Sequence, residues 1–173
     1  SWISWRNFWI FWIGGLLIFG GLVATGSVLQ TDVAPAGMLD HQAAGTAAAV
    51  NAIQQSWADA SVLTQAQVGM VADLLFIGLY TVGGIIGGRL IWQYGHSPAL
   101  KKLGLLIVVS YFIFGLSDYT ETLSQLVQLV MIGGNDWLAG VAACARPIKM
   151  ASFLAGTIAM IIALIWRWAE RRA

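Results

Sequence analysis

The stretch LGLLIVVSYFIFGLSDYTETLSQLVQLV, residues 103–130, decides the fold. Its first half is apolar, as in a helix that crosses a membrane, because the hydrocarbon core of a bilayer takes roughly 20 apolar residues in a helix. Its second half carries Asp118 and Glu121 at the point where this run should leave the membrane. The pattern indicates a membrane protein that places two carboxylates at one end of a span.

The composition of the whole chain agrees with a membrane protein. The 173 residues are 58% hydrophobic and 10% charged, with a mean hydropathy of +0.76, whereas about 25% of the residues in a soluble domain are charged. The net charge of +1 argues against nucleic-acid binding, which needs a basic patch. A single cysteine excludes an internal disulfide and a multi-cysteine metal site.

Counting apolar runs predicts an all-α, polytopic membrane protein, a four-transmembrane-helix bundle that forms a single membrane domain over residues 1–173. The expected spans are about 8–29, 69–92, 102–120 and 148–168, with loops at 30–68 and 121–147 on the outer side. The run 123–132 is too short to span and either continues the third helix or lies in the interface. Residues 40–60 are Ala-rich and predict a helix in the first loop, with Trp57 anchoring it in the interface.

The distribution of Lys and Arg predicts the orientation. Seven of the nine lie at the chain ends or in the turn between the second and third spans: Arg6, Arg89, Lys101, Lys102, Arg167, Arg171 and Arg172. Cytoplasmic loops carry the excess of Lys and Arg, so both termini are expected in the cytoplasm of a bacterial inner (cytoplasmic or intracytoplasmic) membrane. In the inner turn, Gly95 can end one helix and Ser97-Pro98 can begin the next.

Five ionisable residues fall at the same depth, near the outer ends of three spans: Asp73, Asp118, Glu121, Arg146 and Lys149. Asp73, Asp118 and Lys149 each share a helical face with small residues, which mark contacts between membrane helices. Charges inside a membrane face the bundle interior and pair. We therefore expect a charged cluster in which Lys149 bridges Asp73 and Asp118. The favoured interpretation is an ion-pair clasp; a proton or cation relay, or a ligand pocket, is the alternative.

Glycines and tryptophans form two further patterns. The segment GGIIGG, residues 83–88, has GxxxG-like spacing, and we expect Gly83, Gly84, Gly87, Gly88, Gly115 and Gly156 to pack helices within the bundle, with a homodimer face as the alternative. Four tryptophans at helical spacing form one stripe, Trp2, Trp5, Trp9 and Trp12. An interfacial belt is the favoured interpretation of this stripe, and a docking surface for another subunit, a pigment or a quinone is the alternative.

The two histidines, the cysteine and a polar run after the third span are the remaining candidate functional residues. His41 is most simply a solvated loop residue, with ligation of a metal or a chlorin as the alternative, and His96 a turn residue. Cys144 is most simply a small apolar side chain. Asp118, Glu121, Gln125 and Gln128 occupy one arc of a helical wheel, and this amphipathic run is expected on the membrane surface or capping the bundle. No metal site, catalytic residue or cofactor is predicted, although a bound lipid or pigment is compatible with the sequence.

Three segments resemble a group of uncharacterised bacterial four-helix membrane proteins. They are D-L-L-F-x-x-x-Y at 73–80, L-S-D-Y-T-E-T at 116–122, and Arg146 and Lys149 at the start of the last helix. In that group the third helix typically ends in Asp-x-x-Glu-Asn, and Thr122 stands here where Asn would be expected. The resemblance covers residues 68–168 and implies the same bundle and charged layer, but no activity.

These patterns favour a non-enzymatic accessory or scaffold subunit of a larger membrane complex, of respiratory or photosynthetic type among the possibilities. Its expected partners are membrane lipids and other membrane subunits, and no nucleic acid. The alternative is a small transporter or a ligand- or lipid-binding membrane protein that uses the charged cluster. A membrane enzyme is the least favoured class, because two distant histidines cannot complete a catalytic or haem-ligating set.

Overall fold

A computed structural model describes residues 2–170; Ser1 and residues 171–173 lie outside the described part, and with them Arg171 and Arg172 of the orientation argument. The described residues form six α-helices and no strand. The helices are α1 (Trp5–Thr25), α2 (Met38–Ala43), α3 (Ala47–Asp59), α4 (Leu63–Tyr94), α5 (Pro98–Met131) and α6 (Asp136–Glu170). A short 3-10 helix, Gly26–Leu29, extends α1.

Four of these elements are long and apolar enough to cross a membrane: Trp5–Leu29, Leu63–Tyr94, Pro98–Met131 and Asp136–Glu170. The all-helical class is therefore confirmed, and each predicted span lies within one of these four helices. The helix expected within residues 40–60 is present as two helices, α2 and α3.

The turn between α4 and α5 has the predicted ends. The Gly95 amide donates to the Ile91 carbonyl at 2.8 Å, which closes the last turn of α4. The Ser97 hydroxyl accepts from the Leu100 amide at 3.2 Å, and Pro98 begins α5. Serine at the cap and proline in the first turn are favoured because the first helical N–H groups have no partner within the helix.

Two helices continue well beyond their predicted spans. The helix α5 has 34 residues and ends at Met131, so the run 123–132 continues the third helix. The helix α6 has 35 residues and contains Pro147. Its N-terminus is capped by Asn135, whose Oδ1 accepts from the Leu138 amide at 3.0 Å, as asparagine does at helix starts.

Tertiary contacts divide the chain into two compact units. Unit 1 consists of residues up to Leu16, Ile77–Leu116 and the residues from Ile148 onward, and unit 2 consists of Leu17–Phe76 and Ser117–Pro147. Each of the four long helices contributes residues to both units.

Unit 1 packs around aromatic rings that fit against glycines. The ring of Tyr111 lies between Gly84 of α4 and Gly156 of α6, where a Cβ on either glycine would meet ring atoms. A Cβ on Gly83 would meet the Trp12 backbone of α1, at 2.6 Å from its nitrogen. Helices approach this closely only where the facing residue has no side chain.

Unit 2 has its own apolar core. Its buried members are Leu29, Ala34, Ile53, Trp57, Ala66, Met70 and Leu129. Trp57 is fully buried, and its indole N–H donates to the Leu29 carbonyl at 2.8 Å. The expectation that Trp57 anchors α3 in the membrane interface is therefore wrong. The ring joins α3 to the segment that follows α1.

Candidate functional site

The buried polar residues of unit 2 centre on one face of α5. Asp118, Glu121, Gln125 and Gln128, here called the polar arc, are all buried, whereas Leu123 and other apolar residues on the opposite face are exposed. The side chains at i, i+3, i+7 and i+10 share one face because a helix has 3.6 residues per turn. This part of α5 therefore has its polar side inward and its apolar side outward, the reverse of a helix in a water-soluble protein.

The first half of α4 and the second half of α5 are joined by hydrogen bonds beside the polar arc. The hydroxyl of Thr122, which is fully buried, donates to the Asp73 carboxylate at 2.9 Å. The Tyr119 hydroxyl donates to the Leu74 carbonyl at 3.1 Å. Thr122 occupies the position where the resemblance suggested asparagine, and it supplies a donor to Asp73 from that position. The sequence patterns did not single out this contact.

The end of the polar arc organises the connection from α5 to α6. The Gln128 amide nitrogen donates to the Ser124 carbonyl at 3.1 Å, and its amide oxygen accepts from the Asn135 amide at 3.0 Å. From α4, Gln67 donates to the Leu129 carbonyl at 3.1 Å. The bonds to Leu129 and Asn135 pair backbone groups that helix ends leave unsatisfied.

The short helices of unit 2 are bound to the same connection. Asp136 accepts from the Ala47 amide at 2.7 Å, and Asn51 accepts from the Gly134 amide at 2.6 Å. An acid near the first amides of α3 is favourable because a helix N-terminus carries a partial positive charge. Arg146, the basic residue expected near the charged cluster, donates to the Leu39 carbonyl at 3.0 Å.

His41 lies inside unit 2. Only 1% of its surface is exposed, so the expectation of a solvated loop residue is wrong, whereas His96 lies exposed in the turn after α4, as expected. The His41 ring stacks on Trp57, with centroids 5.3 Å apart, and its Nε2 lies 3.2 Å from the Gln54 amide nitrogen. Its Nδ1 has no hydrogen-bond partner.

Burial of His41 predicts a loss of stability in mild acid. Desolvation lowers the pKa of His41 from 6.5 to about 4. Between these values the unfolded chain binds a proton that the folded chain does not. The contribution of neutral His41 is therefore complete above pH 6.5 and is lost as the pH falls towards 4, by a total of about 3 kcal/mol.

This pH dependence can be measured by thermal unfolding of the detergent-solubilised protein between pH 7.5 and 4. His41→Asn should reduce the slope of stability against pH in this window, whatever its effect at pH 7.5. His96→Gln is the matched control, because His96 is exposed, and should retain the wild-type slope. Equal slopes in all three proteins would contradict a buried neutral His41.

Unit 1 contains a hydrogen-bonded chain of aromatic side chains that the sequence analysis missed. The Trp12 indole donates to the Tyr111 hydroxyl at 2.7 Å, which donates to the Tyr80 hydroxyl at 3.1 Å. The Tyr80 and Thr157 hydroxyls are 2.7 Å apart. A buried polar group is costly without a partner, and these side chains satisfy one another across α1, α4, α5 and α6.

The residues of the predicted charged cluster occur in both units. Asp73, Asp118, Glu121 and Arg146 belong to unit 2, whereas Lys149 belongs to unit 1. Asp118, Glu121 and Lys149 are buried. The bridge from Lys149 to Asp73 and Asp118 stays a prediction.

The tryptophan stripe has more than one environment. Trp12 is buried in unit 1, whereas Trp2 and Trp9 are exposed, and Trp5 is half-buried.

The predicted packing glycines lie against side chains or backbone of neighbouring helices. Gly87 lies against Phe8 and Met160, Gly88 against Gly104 and Val108, and Gly115 against Thr81. Cys144 is exposed.

The interior of unit 2 contains several buried polar side chains. Carboxylate, amide and imidazole groups face inward there, and both amide atoms of buried Gln125 lack a hydrogen-bond partner. Among residues 2–170, no group of three or more His, Cys, Asp or Glu side chains is arranged to hold a metal ion.

Four long apolar helices with tightly packed glycines and inward polar groups define a multi-pass α-helical membrane protein. No family model matches the chain, and neither a curated protein nor a solved structure is similar to it. The resemblance to the bacterial four-helix group therefore stays a prediction.

Proposed function

We propose that the chain is a non-enzymatic accessory subunit of a larger protein complex in a bacterial inner membrane. Both termini lie in the cytoplasm in this proposal, because Lys and Arg are concentrated at the chain ends and in the turn between α4 and α5. The end of α5 then lies towards the outer face. The observation that supports a subunit role most directly is the exposed apolar face at the end of α5.

This face, here called the outer apolar face, consists of Leu123, Val127, Val130, Met131 and Ile132, all of which are exposed. It lies opposite the buried polar arc. Exposure of such a surface to water is unfavourable. Exposed apolar patches of this kind therefore mark interaction sites. It must therefore contact either lipid or another protein.

The length of α5 favours a protein over lipid for part of this face. Exposed apolar side chains occur on α5 from Leu105 to Met131, a rise of about 39 Å at about 1.5 Å per residue. The hydrocarbon core is about 30 Å thick. At the usual helix tilt of about 20°, about one helical turn of apolar surface extends beyond the lipid.

The backbone at Ile132 supports the same conclusion. Its φ of 50° lies in the left-handed region, which is unfavourable for a β-branched residue and favours glycine. The chain nevertheless carries an exposed isoleucine at this position, directly after α5. Strain of this kind is often retained at functional positions, and a partner that contacts the Ile132 side chain would account for it.

Photo-crosslinking in native membranes tests the proposal. A photoreactive side chain at Val130, which is 64% exposed, is expected to give a discrete adduct with another protein. The same group at Leu17 of α1, which is 72% exposed, is the matched control and should react mainly with lipid. Extraction in mild detergent should then recover the chain within a large complex.

Two results would count against a subunit role. One is a Val130 variant that gives only lipid adducts, as the Leu17 variant does. The other is a wild-type chain that migrates alone or as a small homo-oligomer in mild detergent.

A transporter or ligand-binding protein is the second candidate, and the buried amide of Gln125 favours it. Both amide atoms lack a hydrogen-bond partner in the protein, and buried amides normally have one. Asp73, Asp118, Glu121 and Arg146 of unit 2 would supply the charges of such a site. Activity that titrates between about pH 5 and 8 would favour this function, since ion pairs of purely structural role stay charged in that range.

A further inference from the structure

The first turns of α1 and the last turns of α6 form a groove within unit 1. Its volume is about 650 Å³, and its lining residues are Trp5, Trp9, Leu164, Ile165, Arg167 and Trp168. Ligand sites in proteins commonly have volumes of about 300–1,000 Å³ and mostly apolar walls with a few polar groups. The groove has this composition, with three indole rings, two aliphatic side chains and one cation.

The cation of the groove is held in a defined position. The guanidinium carbon of Arg167 lies 3.6 Å from the centre of the Trp5 ring, a cation–π contact that orients the side chain. A guanidinium has a planar set of donors that matches the oxygens of a phosphate group. Arg167 is the one charged residue among the described residues that line the groove, and this cation favours an anionic group on the ligand.

The apolar part of the groove continues along α6 towards the middle of the span. Ile158, Ile161, Ile162 and Ile165 are exposed and recur at the helical spacing of one face. A hydrocarbon chain can lie along them while a polar headgroup remains near Arg167. Tryptophan at the end of a span is typical of the depth at which headgroups meet hydrocarbon.

We propose that this groove binds one anionic phospholipid, with its phosphate at Arg167, its glycerol region between Trp9 and Trp168, and an acyl chain along Ile158–Ile165. The site is independent of the subunit proposal, because it uses no residue of the outer apolar face or of the polar arc. A free phosphate ion lacks the acyl chain and would leave the isoleucines uncovered, which is why a lipid is the expected ligand.

Native mass spectrometry of the full-length protein can test this site. After delipidation the protein is titrated with phosphatidylglycerol or phosphatidylcholine of the same acyl chains. We expect one phosphatidylglycerol to be retained at least about tenfold more tightly than phosphatidylcholine, because both lipids carry a phosphate but the choline cation offsets its attraction to Arg167. Arg167→Gln should reduce the ratio of phosphatidylglycerol to phosphatidylcholine retention about tenfold. Arg89→Gln removes an equal charge from an exposed position on α4 and should retain it.

If Arg167→Gln folds poorly, a second variant can still test the groove. Trp9→Leu removes an exposed wall of the groove and should weaken retention of both lipids without changing the preference for the anionic headgroup. Millimolar inorganic phosphate should not displace the lipid. Equal retention of the two lipids by the wild-type protein, an unchanged preference in folded Arg167→Gln, or displacement by phosphate would each overturn the proposal.

Discussion

Gly84→Ala is expected to lower the free energy of unfolding by about 3 kcal/mol, the upper end of the usual cost of overpacking a well-filled core. The added methyl group would overlap the ring of Tyr111 close to its attachment point. Gly156 lies on the other side of the ring, where a Cβ in place of its hydrogen would come within about 3.0 Å of ring atoms. The hydroxyl is also held by Trp12 at 2.7 Å.

Thermal or denaturant unfolding of the purified protein in detergent measures this effect. Gly21→Ala is the matched control, because a methyl group there would meet nothing within 4 Å. It should leave stability unchanged or raise it slightly, since alanine favours a helix over glycine. If Gly84→Ala were as stable as Gly21→Ala, the close packing of Tyr111 against α4 would be wrong.

A double variant separates steric overlap from a general effect of the substitution. Tyr111→Ala removes the ring that the new methyl group would overlap. The combined variant should therefore lose less stability than the sum of the two single variants, because residues in contact are not additive. An additive result would mean that Gly84 acts through another neighbour.

The spans were predictable because they depend on quantities that a sequence displays directly. Run length and hydropathy identify a helix that fits a bilayer. The turn from α4 to α5 was predictable for a local reason, since Gly95 and Pro98 each constrain the backbone at their own positions. The end of α5 and the start of α6 were not predictable in this way. Hydropathy reports where a helix leaves the hydrocarbon, and α5 continues to Met131 with its polar face covered.

The start of α6 was missed because Pro147 suggested a helix N-terminus. Proline is favoured in the first turn of a helix, since its missing N–H has no partner there. Inside a helix it removes one hydrogen bond, and the sequence gives no direct measure of whether tertiary packing compensates. Here α6 begins at Asp136, where Asn135 supplies the cap.

The tryptophan stripe shows the limit of helical periodicity. Spacing predicts which side chains share a face of α1, but not which neighbour covers that face. Trp12 is buried because α4 and α5 present Gly83 and Tyr111 to it, whereas Trp9 remains exposed three residues away. The same limit applies to the burial of His41, which depends on contacts with Gln54 and Trp57 of another helix.

Trp57→Ala is the second substitution with a large expected effect, a loss of about 3–5 kcal/mol in the free energy of unfolding. The side chain is fully buried in the apolar core of unit 2. Its removal leaves a cavity, frees one face of the His41 ring, and leaves the Leu29 carbonyl without its donor. The helix α3 has only 13 residues, so the buried Trp57 ring provides a large share of the apolar contact that holds it in place.

Two further variants separate the contribution of the Trp57 hydrogen bond from that of its buried apolar volume. Trp57→Phe keeps most of the apolar volume but removes the N–H that donates to Leu29 at 2.8 Å, and should cost about 1–3 kcal/mol. Trp137→Ala removes a ring that is 73% exposed, and should change stability by at most about 0.5 kcal/mol.

Limited proteolysis between α2 and α3, run beside thermal unfolding, reports on unit 2. Faster cleavage in Trp57→Ala than in Trp57→Phe, with Trp137→Ala like the wild type, is the expected order. Equal cleavage in all four proteins would mean that Trp57 does not hold α2 and α3 together.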